Sequence, residues 1–95
     1  MNKKKLRYAI LKEIDSNNKI LSEKDFGVDE ATFDEAVNFL KREGYLDGIF
    51  NADNRPQFYE GVAFLTEKGE SYLEENSALA KTYRGLKEIR DWIKL

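Results

Sequence analysis

Asn38, Arg42 and Arg55 are the side chains best suited to recognising a polymer of bases and phosphates. An asparagine amide can pair with an adenine edge, and an arginine fork can grip guanine or a phosphate. Lys3, Lys4, Lys5 and Arg7 could add phosphate contacts as a basic arm leading into the first helix. The competing reading makes all seven solvated surface groups and the basic run a solubilising terminus. The adjacent carboxylates Asp34-Glu35 and Glu74-Glu75 invite acid/base or cation-binding chemistry. Adjacent helical residues diverge by about 100°, however, and no glycine-bearing calcium loop surrounds either pair, so both fit solvated faces better. A platform for stacking single-stranded bases needs exposed aromatics beside cations, which only Phe39, Phe50 and Tyr59 could supply.

The chain has no Cys and no His. Thiol nucleophiles, imidazole bases, disulfides and Cys or His metal sites are therefore excluded, and most catalytic templates go with them. Gly44, Gly48, Gly61, Gly69 and Gly85 form no phosphate-cradling pattern. The expectation is a protein that is not an enzyme and needs no cofactor or metal. MNKKK runs into a mixed polar and apolar stretch with no unbroken apolar run. That excludes a signal peptide and a membrane span, and points to the cytoplasm.

Net charge is only −2, so there is no bulk attraction to DNA or to an anionic membrane. The distribution is uneven. Residues 1–12 carry five basic groups and no acid, residues 76–95 carry five against two, and the middle, 13–75, holds six against sixteen. Within that middle, the segment 29–44 has five acids and only Lys41 and Arg42 as counterweight. Inserting it into a DNA groove means overcoming repulsion at Glu30, Asp34 and Glu35.

Stripes of apolar residues define the elements that must position these groups. Leu6, Ala9, Ile10 and Ile14 recur at helical spacing, with Tyr8 and Leu11 on an adjoining face, which predicts a first helix packed on two sides. Asp15-Ser16-Asn17-Asn18 is a polar loop. Ser22 caps a short helical turn carrying Phe26 and stopped by Gly27. Asp29 caps a third helix with Phe33, Ala36, Val37 and Leu40 inward, ending at Gly44; Glu35, Asn38 and Arg42 face outward and Phe39 lies on the flank. Residues 45–65 are rich in aromatic and β-branched types around the turn-rich stretch Asn51 to Pro56, which predicts a hairpin. Thr66 caps a helix with Tyr72 and Leu73 inward, and Asn76-Ser77 starts a last amphipathic helix. Leu79, Leu86 and Ile93 are seven apart there, with Ile89 between them and Trp92 beside them. That seam could pair two chains as a homodimer or pack on Tyr8 and Leu11.

Three helices followed by a hairpin is the order of a winged helix-turn-helix, an α+β fold, here with added C-terminal helices. Residues 1–76 would form that domain and residues 77–95 the appended helix, packed on the domain or at a dimer interface. A chain of 95 residues with 41% hydrophobic content can build one such core, with a stability of about 5 to 10 kcal/mol.

Four blocks, residues 4–14, 33–46, 65–73 and 87–95, together closely resemble the YjcQ-like family. The resemblance covers nearly the whole chain and implies a small winged-helix protein of Gram-positive bacteria and their prophages. It implies no activity and no functional residues. Two functions follow as expectations. One is a DNA-binding regulator of a bacterial or prophage operon, binding double-stranded DNA as a dimer with Glu35, Asn38, Arg42 and Arg55 near the groove and the basic ends on phosphates. The other is a protein-interaction module whose acidic third helix and hairpin meet a basic partner.

Overall fold

A computed structural model of the chain describes residues 1–16, 20–58 and 62–94. Asn17, Asn18 and Tyr59, read above as loop and stacking residues, lie outside that set. Helix α1 (Lys3–Asp15) begins earlier than its apolar stripe, because the Asn2 side chain accepts the backbone N–H of Lys5 at 3.1 Å. Lys3, Lys4 and Lys5 are therefore its first turn and not an arm in front of it. Leu6, Tyr8, Ala9, Ile10, Leu11 and Ile14 are all buried, and the helix touches α3 (Glu30–Arg42), strand β4 (Phe64–Leu65) and helix α4 (Glu67–Glu75), so it is covered on more than one side.

Helix α2 (Glu23–Phe26) is a single turn whose start is fixed by the Ser22 N–H donating to Asp25 Oδ2 at 2.8 Å. Its Phe26 ring stacks on Phe33 of α3 at 5.8 Å. Helix α3 starts where Asp29 accepts the Thr32 N–H at 2.7 Å and buries Phe33, Ala36, Val37 and Leu40. It ends on a left-handed Gly44, φ +79°, with the Gly44 N–H bonded to Lys41 O and the Tyr45 N–H to Leu40 O. This paired closure needs a residue free of the Cβ clash at positive φ.

The hairpin is a ribbon of two paired segments. Strands β1 (Leu46–Asp47) and β4 pair at its base, and β2 (Phe50–Ala52) and β3 (Arg55–Gln57) pair toward its tip, both antiparallel. The loop expected over Asn51–Pro56 is shorter than the sequence suggested. Asn51 and Pro56 are register partners within the strands, and only Asp53-Asn54 turn, with φ of 54° and 63°. Two successive left-handed residues match the twist of the strands, and Asp and Asn tolerate that conformation. Leu46 and Ile49 face the core, whereas Phe50, Val62 and Phe64 are exposed.

Helix α4 opens with the Thr66 side chain accepting the Gly69 N–H at 3.1 Å. Its Tyr72 and Leu73 are half-buried against the core. The single amphipathic helix expected over 77–95 does not form. The chain makes α5 (Ser77–Ala80), an irregular stretch ending at Gly85 with φ +90°, a 3₁₀ turn (Leu86–Glu88) and α6 (Ile89–Trp92). The reversal lets Trp92 Nε1 donate to Thr82 Oγ1 at 2.9 Å and brings the Trp92 ring to 5.0 Å from Tyr83 and 6.2 Å from Tyr8. A straight helix would carry Thr82 and Trp92 about 15 Å apart along its axis. The heptad seam is thus absent as a straight stripe. Ile89, Trp92 and Ile93 are buried in the chain's own core, and Leu79 and Leu86 are half-buried against it. The chain ends are laced together by Asn2 N to Ile93 O, 2.7 Å, and Lys5 Nζ to Trp92 O, 3.1 Å.

Candidate functional site

Arg55 stands at the start of β3, just past the hairpin turn, and it points back at the helices. Its Nε and Nη2 donate to the two carboxylate oxygens of Asp34 at 2.8 and 2.9 Å, Nη2 also reaches Glu23 Oε2 at 3.2 Å, and Nη1 lies 3.3 Å from Glu30 Oε2. Glu30 and Asp34 are one turn apart on α3, and the planar fork fits a carboxylate on two N–H edges at once. Hydrogen bonding to Asp34 raises the already high pKa of Arg55 further. A backbone N–H and then Arg55 hold the Glu23 carboxyl below its usual range. The residue expected to touch a phosphate at the wing tip instead ties the ribbon to α2 and α3. The acids expected to repel DNA or attract a basic partner from the α3 surface are largely engaged by it.

The other sequence-derived candidates divide into two groups. Lys3 pairs with Glu35 at 3.2 Å, both well exposed, and Lys5 is held by Trp92, its Nζ 5.1 Å from the ring centre. These contacts consume two of the three lysines; Lys4 stays exposed. Arg7 lies flat on Phe39 at 3.6 Å, with its Nε buried and without a hydrogen-bond partner, and Arg42 lies 5.7 Å from the same ring. Asn38 is half-buried on the same helix. Phe39 therefore does stand beside cations, but Arg7 already occupies a face of its ring. Phe50 is exposed on the ribbon. Next to the Arg7 cluster, Lys68 sits 4.9 Å over Tyr45, whose ring is 4.9 Å from Tyr72.

Two features were missed in the sequence. One is a buried polar knot in which Tyr83 donates its hydroxyl to Glu13 on α1. Burial first, and then Glu13, push the Tyr83 pKa well above the tyrosine range. The other is an open groove of about 370 Å³ between α1 and the α4–α5 segment, with Asp15, Glu70 and Glu74 at its rim. The i, i+4, i+7 spacing of Tyr8, Lys12 and Asp15 was available as a signal, but nothing local says which helix faces it. Among the described residues, no group of three or more acidic side chains is placed to hold a metal ion, and no helix is long and apolar enough to cross a membrane.

These features define a mixed helical and antiparallel-sheet protein whose candidate site is a surface of side chains. The chain belongs to the YjcQ family: the family model described as "YjcQ protein" matches residues 3–92. It is 61% identical over 94 residues to the uncharacterized protein YjcQ of Bacillus subtilis strain 168, a match covering 99% of this chain and all of that one. It is also similar to the solution NMR structure of the YjcQ protein from Bacillus subtilis, a structural genomics target, with a TM-score of 0.72 and 56% identity over 84% of this chain and 97% of the other.

Proposed function

We propose that this chain is a winged-helix domain that works without catalysis as a cytoplasmic protein-interaction module, its hairpin forming the contact surface. The observation that carries this reading is the engagement of Arg55 by Asp34, Glu23 and Glu30. A wing that spends its only arginine on its own helices has no cation left for the backbone of DNA. The ribbon exposes Phe50, Val62 and Phe64, of which Phe50 and Phe64 are 55% and 54% exposed. Exposed large apolar side chains on one small ribbon suit a protein contact.

A DNA-binding regulator, dimeric and of prophage type, is the second reading. It is favoured by Arg7 and Arg42, which make no ion pair among the described residues, and by the exposed Lys4. Selection from random duplexes at low salt separates the two. The interaction reading expects no enriched sequence, together with a captured partner that is lost in Phe50→Ser/Phe64→Ser and retained in Arg42→Ala. An enriched palindrome whose binding disappears in Arg42→Ala would replace it with the regulator.

A further inference from the structure

Arg7 is the one residue among those described whose side chain keeps a buried polar atom, Nε, without a hydrogen-bond partner. Its guanidinium lies on the Phe39 ring at 3.6 Å, and it makes no ion pair among the described residues. Its Nη groups bond to no described residue either, but they are not buried, so they form an open edge at the surface. Stacking has therefore fixed this cation and stripped part of its water without supplying an anion. A cation prepared in that way gives up less freedom and less hydration when a carboxylate arrives than a mobile surface arginine does.

The neighbours of Arg7 extend this site along one face. Burial raises the pKa of Tyr72, Tyr45 adds to the rise and Arg7 pulls against both, an effect that a charge exerts only from close by. The Tyr72 ring lies 4.9 Å from Tyr45, and Lys68 sits 4.9 Å over Tyr45. Lys68 donates to Glu43 O, an uncharged carbonyl, and it too makes no ion pair among the described residues. Lys4, exposed one turn before Arg7, and Arg42, exposed and 5.7 Å from the Phe39 ring, stand at the rim. Of the acids on the same elements, Glu35 is taken by Lys3 at 3.2 Å, and Glu43 and Glu75 pair with none of these four cations. A chain of net charge −2 thus holds a band of uncompensated cations and tyrosines across α1, α3 and α4. We infer that this band receives an acidic segment of a partner protein, with one carboxylate on the Nη edge of Arg7 beside the Tyr72 hydroxyl and a second on Lys68. Arginine and tyrosine are among the side chains that concentrate binding energy in protein contacts. Nucleic acid fits less well, because Phe39 and Tyr45 already carry Arg7 and Lys68 on a face where a base would stack, and Glu35, Glu43 and Glu75 oppose further phosphates. The inference rests on the interaction reading above and adds a contact apart from the exposed ribbon residues.

The test is titration of the intact protein with a short capped peptide alternating glutamate with alanine, followed by amide chemical shifts. Shifts confined to residues 4–8, 38–45 and 68–75 are expected, with affinity falling as salt is added. Arg7→Lys keeps the charge but loses the planar fork, and weakens binding by about threefold to tenfold. Lys68→Gln changes an exposed position outside the core and weakens it by about threefold, so the outcome does not hang on the packing of Arg7. Tyr72→Phe keeps the ring pair, removes the hydroxyl and weakens binding by about threefold. Shifts on other faces, equal affinity in Arg7→Lys and Lys68→Gln, equal binding of a peptide with lysine in place of glutamate, the same affinity for inorganic phosphate alone, or tighter binding of a DNA duplex at the same residues would each overturn the inference. Arg42, at the rim, governs salt dependence more than affinity, so capture through the hairpin survives Arg42→Ala. Phe50→Ser/Phe64→Ser leaves peptide binding unchanged. Failure of the peptide therefore leaves the interaction reading standing, and loss of capture through the hairpin is read separately from the band.

Discussion

Gly69 lies inside α4, where an alanine would ordinarily stabilise a helix by about 1 kcal/mol. Here the sign reverses. A Cβ on Gly69 would fall 2.1 Å from the carbonyl oxygen of Tyr45 and 3.3 Å from Leu65 Cγ. The Tyr45 carbonyl cannot swing aside, since it accepts the Thr66 N–H at 3.1 Å and the next residue, Leu46, is the register partner of Leu65. Relief requires α4 to move by about 1 Å away from the ribbon base, which loosens the Tyr45–Tyr72 ring contact and the seat of Leu65. Overpacking costs about 1 to 3 kcal/mol, and a 2.1 Å approach to a fixed backbone carbonyl belongs at the upper end, about 2 to 3 kcal/mol. After subtracting the helix-propensity gain, Gly69→Ala is expected to destabilise by about 1 to 2 kcal/mol, which lowers Tm by about 5 to 15 °C in a domain of this size. Thermal unfolding followed by far-ultraviolet circular dichroism reads the shift, and near-ultraviolet dichroism reads the tyrosine pair. A Tm equal to or above that of the parent protein would show that α4 does not sit on the Tyr45 carbonyl as described.

Tyr83→Phe removes the donor to buried Glu13 and is expected to cost about 1 to 2 kcal/mol, measured by urea unfolding at neutral pH. Burial raises the pKa of Tyr8, Tyr72 and Tyr83 above the ordinary 10.0, so above that pH the unfolded chain releases protons that the folded chain keeps. Stability is therefore whole below about pH 10 and falls as pH rises through the folded values, a slope that Tyr83→Phe should flatten in Tm measurements across the alkaline range. Arg55→Met frees the ribbon from α2 and α3, and amide hydrogen exchange should rise at residues 50–57 while α1 stays protected; unchanged exchange there would mean that the clamp does not hold the hairpin. Trp92→Ala opens the packing of Tyr8 and Tyr83 and drops Thr82 as a partner, with an expected loss of about 3 to 5 kcal/mol by chemical denaturation. If the residue instead served mainly a contact between chains, light scattering would show a change of mass with stability kept.

Helix starts and stops were legible because their determinants bond within a few residues of themselves. Asp29 reaches Thr32, Thr66 reaches Gly69, and the Gly44 closure bonds back to Lys41, so each pattern of types over three or four positions carries its own geometry. The apolar stripes of α1 and α3 were legible for the same reason, since a helix repeats its faces by a fixed angle. Tertiary structure decided what depends on distant partners. Arg55 was read as a free cation because the residues that hold it lie 21 and 32 positions away. The terminal stripe was read as one helix because heptad spacing is indifferent to the pull of Thr82, Tyr83 and Tyr8 on Trp92, contacts that offset the loss of helical hydrogen bonds only once the core exists. The acidic groove arises from two rows on different helices that face each other, and its charge is felt as a sum only when they do. Local bonding is written in neighbouring letters, whereas the neutralisation of a charge and the closing of a cleft depend on which surfaces the folded chain brings within a few ångströms.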